Sequence, residues 1–247
     1  MGNTAPRHAA GAATAVLLLV AAATACGGQQ DRETGVPAPR ATATSTPPPA
    51  AQGPAADKLK ALALAPGEKA GAYEADEPVL DEPMNESYEA TPAACRPLTS
   101  LGRAGHRAQA YVKTDVPDEM RAVVTEILLR SYDGAGAKAA LASLAAAGKS
   151  CAGGYTEDRM LAEGRILRVE TVPPPKLGDE AQAYRIVVQD VKDKNLSLFK
   201  YLTVIRSGSV TLSFRSDVLD IKDFGGVPPE VVTAQWEKFA KGAGAAS

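Results

Sequence analysis

The sequence predicts an α+β fold: an antiparallel sheet with helices packed on it, carried as a single domain behind a signal peptide and a disordered tether. Between residues 183 and 216, apolar and polar side chains alternate through three runs separated by short turns, which is the signature of an antiparallel meander. Two stretches, 133–151 and 228–242, instead space their apolar residues three and four apart, as helices with one buried face do. Further strand-like runs at 106–114 and 120–132 lie upstream of both.

The chain opens "MGNTAPRH", with Arg7 its one strong positive charge, and from Ala9 to Ala25 no charged residue occurs. An apolar core of roughly 15 residues behind a short basic start is too short for a stable membrane helix and suits a secretory signal. Ala23, Thr24 and Ala25 lead directly into Cys26, a segment that resembles a bacterial lipobox. That resemblance implies a signal peptide over 1–25 and a diacylglyceryl-modified Cys26 as the mature N-terminus. Anchoring by two or more acyl chains holds a protein stably on a membrane without spanning it. From residue 26 to 56 the chain is rich in Pro, Thr and Ala and has almost nothing to bury, so it reads as a tether. Such a segment reaches about 30 Å as a coil and up to about 90 Å extended.

The sequence holds three cysteines. With Cys26 acylated, Cys95 and Cys151 remain as one pair in an oxidising compartment, and a disulfide between them is expected. Reading Cys151 as a nucleophile fails for want of a histidine partner in a recognisable motif.

Residues 57–247 form the expected domain. "ADKLKALALAPGE" predicts a short helix carrying Leu59, Leu62 and Leu64, ended by Pro66 and Gly67. "AGAYEADEPVLDEPMNESYEATP" predicts one strand and then an irregular, acidic surface stretch. "HRAQAYVKT" and "MRAVVTEILLRSY" read as strands, the second with Val123, Thr125, Ile127 and Leu129 on one face. "DGAGAKAALASLAAAGKSC" reads as a helix presenting Leu141 and Leu144. One or two strands follow in 153–175, stopped by Pro173 to Pro175. In the meander, Tyr184, Ile186 and Val188 share a face, a Ser207-Gly208 turn joins the last two strands, and Val210, Leu212 and Phe214 alternate. The last helix begins at Pro228 or Pro229, carries Val232, Trp236 and Phe239 at i, i+4 and i+7, and ends at Gly242.

A formal net charge of -2 with interspersed signs gives no electrostatic footprint for nucleic acid, and none is expected as a partner. Histidine occurs twice, and His8 leaves with the leader. His106 is then the one imidazole, expected in a surface loop, so neither a histidine metal site nor a Ser/His/Asp triad can be assembled. The sequence identifies no catalytic residue, metal ligand or cofactor site. The acidic stretch Glu74, Asp76, Glu77, Asp81, Glu82, Glu86 and Glu89 has the spacing of a solvated loop and lacks the ligand order of a calcium loop. A hydrolase built on two carboxylates would need them 5 to 10 Å apart in a concave site. "DGAGAKAALA" lacks the order of a phosphate loop. Trp236 is expected in the core. Tyr184, Tyr201 and Phe214 are expected there too, although they could line a cleft.

The succession of lipobox, Pro/Thr tether, "LKALALAPGE", "TPAACRPL", a helix ending in "KSCAGGYTE", then "LGDEAQAYRIVVQ" and "YLTVIRSGSVTLSF" is similar to actinobacterial lipoproteins that carry a PknH-like extracellular sensor domain, the kind first described on a mycobacterial receptor serine/threonine kinase. The likeness covers residues 57 to 243. It implies an antiparallel sheet with helices packed on it and a cleft on one side that takes a ligand.

Together these readings point to a non-enzymatic lipoprotein on the extracytoplasmic face of the cell membrane, binding a small molecule, lipid or glycan. The alternative is a module that docks an envelope enzyme, kinase or transporter through Glu74 to Glu89. The sequence assigns no ligand-binding residues.

Overall fold

A computed structural model describes residues 52–117, 123–160, 162–218 and 221–244. The leader, Cys26 and residues 27–51 of the expected tether lie outside them. The described residues form a ten-stranded sheet. Its strands are β1 (Lys69–Ala70), β2 (Tyr73–Asp76), β3 (Glu89–Thr91), β4 (Ala108–Asp115), β5 (Val124–Ser131), β6 (Tyr155–Asp158), β7 (Glu163–Thr171), β8 (Glu180–Gln189), β9 (Ser197–Ser207) and β10 (Val210–Asp217). The order across the sheet is β1-β2-β4-β5-β10-β9-β8-β7-β6-β3, with every neighbouring pair antiparallel.

Each face carries its own helices. Helices α1 (Ala56–Leu62) and α4 (Pro229–Ala243) cover one face, where Leu59, Leu62, Val231, Trp236 and Phe239 meet Ile127, Leu129, Ile205, Leu212 and Phe214. Helix α3 (Gly136–Ser150), with the one-turn α2 (Arg96–Thr99), covers the other, where Leu141, Leu144 and Ala147 meet Ile166, Tyr184, Ile186, Val188, Leu202 and Val204. Burying a side chain of this size contributes about 1.5–3 kcal/mol. Strand alternation separates the two sets, because β9 sends Tyr201 and Ile205 to one core and Leu202 and Val204 to the other.

Three element ends differ from the sequence expectation. Helix α1 ends at Leu62, which leaves Leu64 outside it. Val210 pairs with Ser207, so the hairpin's two turn residues are Gly208 and Ser209, with Gly208 at φ +56°. Helix α4 runs past Gly242 and is capped by Gly244 at φ +67°. Gly242 lies inside the helix, where a Cβ would run into Leu62 of α1.

The helices are tied together by specific bonds. Gln235 of α4, fully buried, donates Nε2 to the Leu62 carbonyl at 2.9 Å and accepts the Leu64 amide at 2.9 Å, which satisfies backbone groups left over at the end of α1. Cys95 and Cys151, 56 residues apart, form a disulfide with Cα atoms 5.8 Å apart, joining the start of α2 to the end of α3. Gly53 and Pro54, within the segment expected as tether, contact the end of β5: the Ser131 hydroxyl donates to the Pro54 carbonyl at 2.6 Å. No helix among the described residues is long and apolar enough to cross a membrane.

Candidate functional site

Helix α3 covers only half of its face. Over β4, β5 and β10 the same face is polar, because register aligns Lys113, Glu126 and Arg215 in one row across three strands. The chain lays a 3-10 turn, Met84–Ser87, and α2 over this strip. Glu86 reaches down to Arg130 at 2.7 Å, with side chains 5% and 1% exposed, and also accepts the Gly102 amide at 3.1 Å and the Ser100 hydroxyl. Arg215 donates to the carbonyls of Leu98 and Thr99 at 2.7 and 2.9 Å, and Asn85 donates to the Thr99 carbonyl at 2.6 Å. Glu157 accepts from Thr99, Tyr155 and Arg159. Burial alone would raise the Glu157 carboxyl, but Lys200, Arg159 and Arg215 hold it below its ordinary value. Glu126 sits beside this network and accepts from the Tyr111 hydroxyl at 3.0 Å. Burial and then the charge of Asp217 push Glu126 up, and burial pushes the Tyr111 phenol up as well. The space left between the turn and the sheet is about 20 Å³, room for one water and no ligand. This network is a clamp that closes one half of the face.

A concavity of about 530 Å³ lies elsewhere, along the side of β4. Its walls are α1 with the loop after it, and the loop that follows β2. Leu64, Ala110 and Val112 supply apolar surface, and Asp57, Asp76, Glu77 and Asp81 stand around it with Lys60 as the one ammonium group. All five charged residues are exposed, as is Leu80 on the lip, 53% open to solvent.

The hydrogen-bonding pattern explains why this groove borders bare backbone. The Tyr132 amide donates to the Ser209 carbonyl at 2.9 Å, so the even-numbered residues of β5 bond to β10 and the odd-numbered ones to β4. By the same alternation Ala108, Ala110, Val112 and Thr114 bond back to β5, while Gln109, Tyr111, Lys113 and Asp115 turn N–H and C=O outward. Lys113 and Asp115 meet Asp76 and Glu74 of β2. Were β2 to continue in register, Pro78 would face Tyr111, and proline has no N–H to donate. Strand β2 stops at Asp76 and the chain bends away, leaving Gln109 and Tyr111 with no strand partner on that side among the described residues.

The acidic stretch is therefore divided by the fold. Asp76, Glu77 and Asp81 line the groove, Glu89 pairs with Arg96, and Glu86 is drawn under the surface, which corrects its expected place in a solvated loop. Asp76 is pushed up by partial burial, then by the charge of Asp115 and a hydrogen bond to it. Two carboxyls in hydrogen-bond contact are too close to flank a sugar or a catalytic water. His106 is half-buried, with its Nδ1 3.2 Å from the Gly102 carbonyl, and burial followed by the charge of Arg130 depresses its pKa. Trp236, Tyr184, Tyr201 and Phe214 are all in the core. Tyr201 spends its hydroxyl on Asp223 and on the amides of Phe224 and Gly225, and burial followed by Asp223 pushes it up to about 12. Among the described residues no group of three or more His, Cys, Asp or Glu could hold a metal ion.

The architecture defines an α+β domain, a ten-stranded antiparallel sheet with helices on both faces. It is similar to the crystal structure of the extracellular domain of PknH from Mycobacterium tuberculosis, at 11% identity and a TM-score of 0.55, over 78% of this chain and 98% of that one. At that identity the likeness is one of fold. An ortholog of Rv0999 from Mycobacterium smegmatis aligns over 70% of this chain and 84% of that one, at 12% identity and a TM-score of 0.30, too low to bear on fold. No family model and no curated protein matches the chain.

Proposed function

We propose that this chain is a lipoprotein of the cell envelope whose domain binds a ligand without transforming it, in the groove between α1, the loop after β2 and the edge of β4. The observation that carries the reading is that groove: about 530 Å³, with an apolar wall and a polar rim, the proportions of a ligand site. The leader and Cys26 support an anchor on the extracytoplasmic face, and the fold shared with a receptor kinase's extracellular domain supports a sensing or accessory binding role. The chemistry supports binding over catalysis, since the one imidazole beyond the leader is held by a backbone carbonyl away from the groove. A small molecule, lipid or glycan and a docked protein partner are alternative occupants of the same surface.

The test is native mass spectrometry of the full chain in detergent, before and after incubation with an envelope extract. A reproducible adduct that disappears when Ala65→Trp, at an exposed residue of the wall, fills the groove supports the reading. An adduct indifferent to that change, or steady turnover of an envelope substrate, overturns it.

A further inference from the structure

We infer that the groove takes an extended polypeptide with basic side chains, which adds to the sheet as a strand beside β4. This rests on the reading above that the groove is the binding site, and it names the class of ligand. The backbone argument comes first. Gln109 and Tyr111 offer two N–H and two C=O groups in the geometry that β2 uses at Lys113 and Asp115, and Pro78 prevents β2 from using them. Unpaired edges of this kind accept a strand from another chain, with main-chain bonds giving affinity and pockets for alternate side chains giving specificity. A small rigid ligand would leave that ladder unused.

The groove also selects a side-chain pattern. A strand continuing the line of β2 points alternate residues toward Leu64, Ala110 and Val112, the face on which α1 lies, and the residues between them toward the other face of the sheet, the side of Gln109 and Tyr111. Asp57, Asp76, Glu77 and Asp81 against the single Lys60 give the rim an excess of negative charge, complementary to Lys or Arg. Leu80 and Val79 on the lip, 53% and 101% exposed, add apolar surface that a bound strand would cover.

The experiment uses the full chain in detergent micelles and the peptide Ac-Lys-Val-Lys-Val-Lys-Val-NH2, with the same peptide N-methylated at each residue as control. Amide hydrogen exchange is read at single-residue resolution. The expected result is slowed exchange at Gln109 and Tyr111 with the unmethylated peptide only. Binding should weaken about tenfold in the chain bearing Asp57→Asn, Glu77→Gln and Asp81→Asn, since each exposed pair contributes little alone. Equal binding of the methylated peptide, or binding without protection at those two amides, overturns the inference. So does protection present before any peptide is added, whether by residues 26–51 of the same chain or by a second copy, the two being told apart by dependence on protein concentration. If an envelope adduct occupies the groove and the peptide does not bind, the strand inference fails while the binding reading stands. If neither occupies it, both fail.

Discussion

Glu86 and Arg130 meet at 2.7 Å beneath the surface, a buried ion pair between the acidic segment and β5 in the middle of the sheet. Arg130 has a second partner in Gln109, whose side-chain oxygen accepts from its Nε at 3.2 Å. Removing Glu86 would still leave a guanidinium 1% exposed without a counter-charge. Glu86→Ala is therefore expected to lower stability by about 3–5 kcal/mol in urea denaturation. The double variant Glu86→Leu with Arg130→Met should recover most of that loss, because the penalty lies in the orphaned charge more than in the missing attraction.

Gln235 does for the helical face what Glu86 does for the polar one. Gln235→Leu keeps the volume of the side chain roughly constant but leaves the Leu64 amide and the Leu62 carbonyl without partners in the core. Two unsatisfied buried groups cost about 2–6 kcal/mol together. Since Leu64 lines the groove, amide exchange in residues 56–64 should rise beyond what global destabilisation produces. Uniform exchange across α1 and α4 would contradict that local assignment.

The contrast between these two residues shows what was legible. Strands β8 to β10 could be read directly because alternation along one strand fixes its faces, and α4 because Val232, Trp236 and Phe239 recur on one stripe. Gly208 belongs to the turn, one residue earlier in it than expected, for the sake of its own backbone at φ +56°, whereas the place of Gly242 inside α4 answers to Leu62 of a helix far away in sequence. Glu86 and Arg130 lie 44 residues apart on elements that meet only through the sheet order, and nothing local marks either as buried. The groove was equally hidden. Pro78 was visible as a break, but that it bares Gln109 and Tyr111 follows only from the register of β2 on β4.

The disulfide closes a loop of 56 residues between α2 and α3. The chain-entropy model assigns a loop of that length about 4 kcal/mol. Replacing both Cys95 and Cys151 by alanine should lower stability by that order, measured by denaturation against the oxidised parent. Alkylation of the unfolded, unreduced chain should label neither residue.

Gly148 tests packing on the other face. A Cβ there would collide with the ring of Tyr184, which is 2% exposed and donates its hydroxyl to the Leu144 carbonyl at 3.4 Å. Gly148→Ala should destabilise by about 1–3 kcal/mol despite the better helix propensity of alanine. Pairing it with Tyr184→Leu should relieve the clash, so the double variant should be more stable than the sum of the two single changes predicts.

Glu126 and Glu157 share the polar strip but respond to pH with opposite sign. Burial, then the charge of Asp217, raises the folded pKa of Glu126 above its unfolded value. Its stabilising contribution is present below the unfolded pKa and is lost as pH rises through the folded one, so at neutral pH the charged form is a liability. Glu126→Gln retains an oxygen for the Tyr111 hydroxyl and removes that charge. The variant should melt above the parent at pH 7, with the difference closing as pH falls below the ordinary glutamate range near 4.3. Glu157 runs the other way: burial opposes its ionisation, but Lys200, Arg159 and Arg215 outweigh it and depress the folded pKa. Its contribution is present above the unfolded pKa and lost as pH falls through the folded one, so Glu157→Gln should melt below the parent at pH 7 and approach it in acid. Thermal melts of the three proteins between pH 3 and pH 8 check both signs in one series. If Glu126→Gln melts below the parent at neutral pH, the upward shift assigned to Glu126 is wrong, and if Glu157→Gln melts above it, the downward shift assigned to Glu157 is wrong.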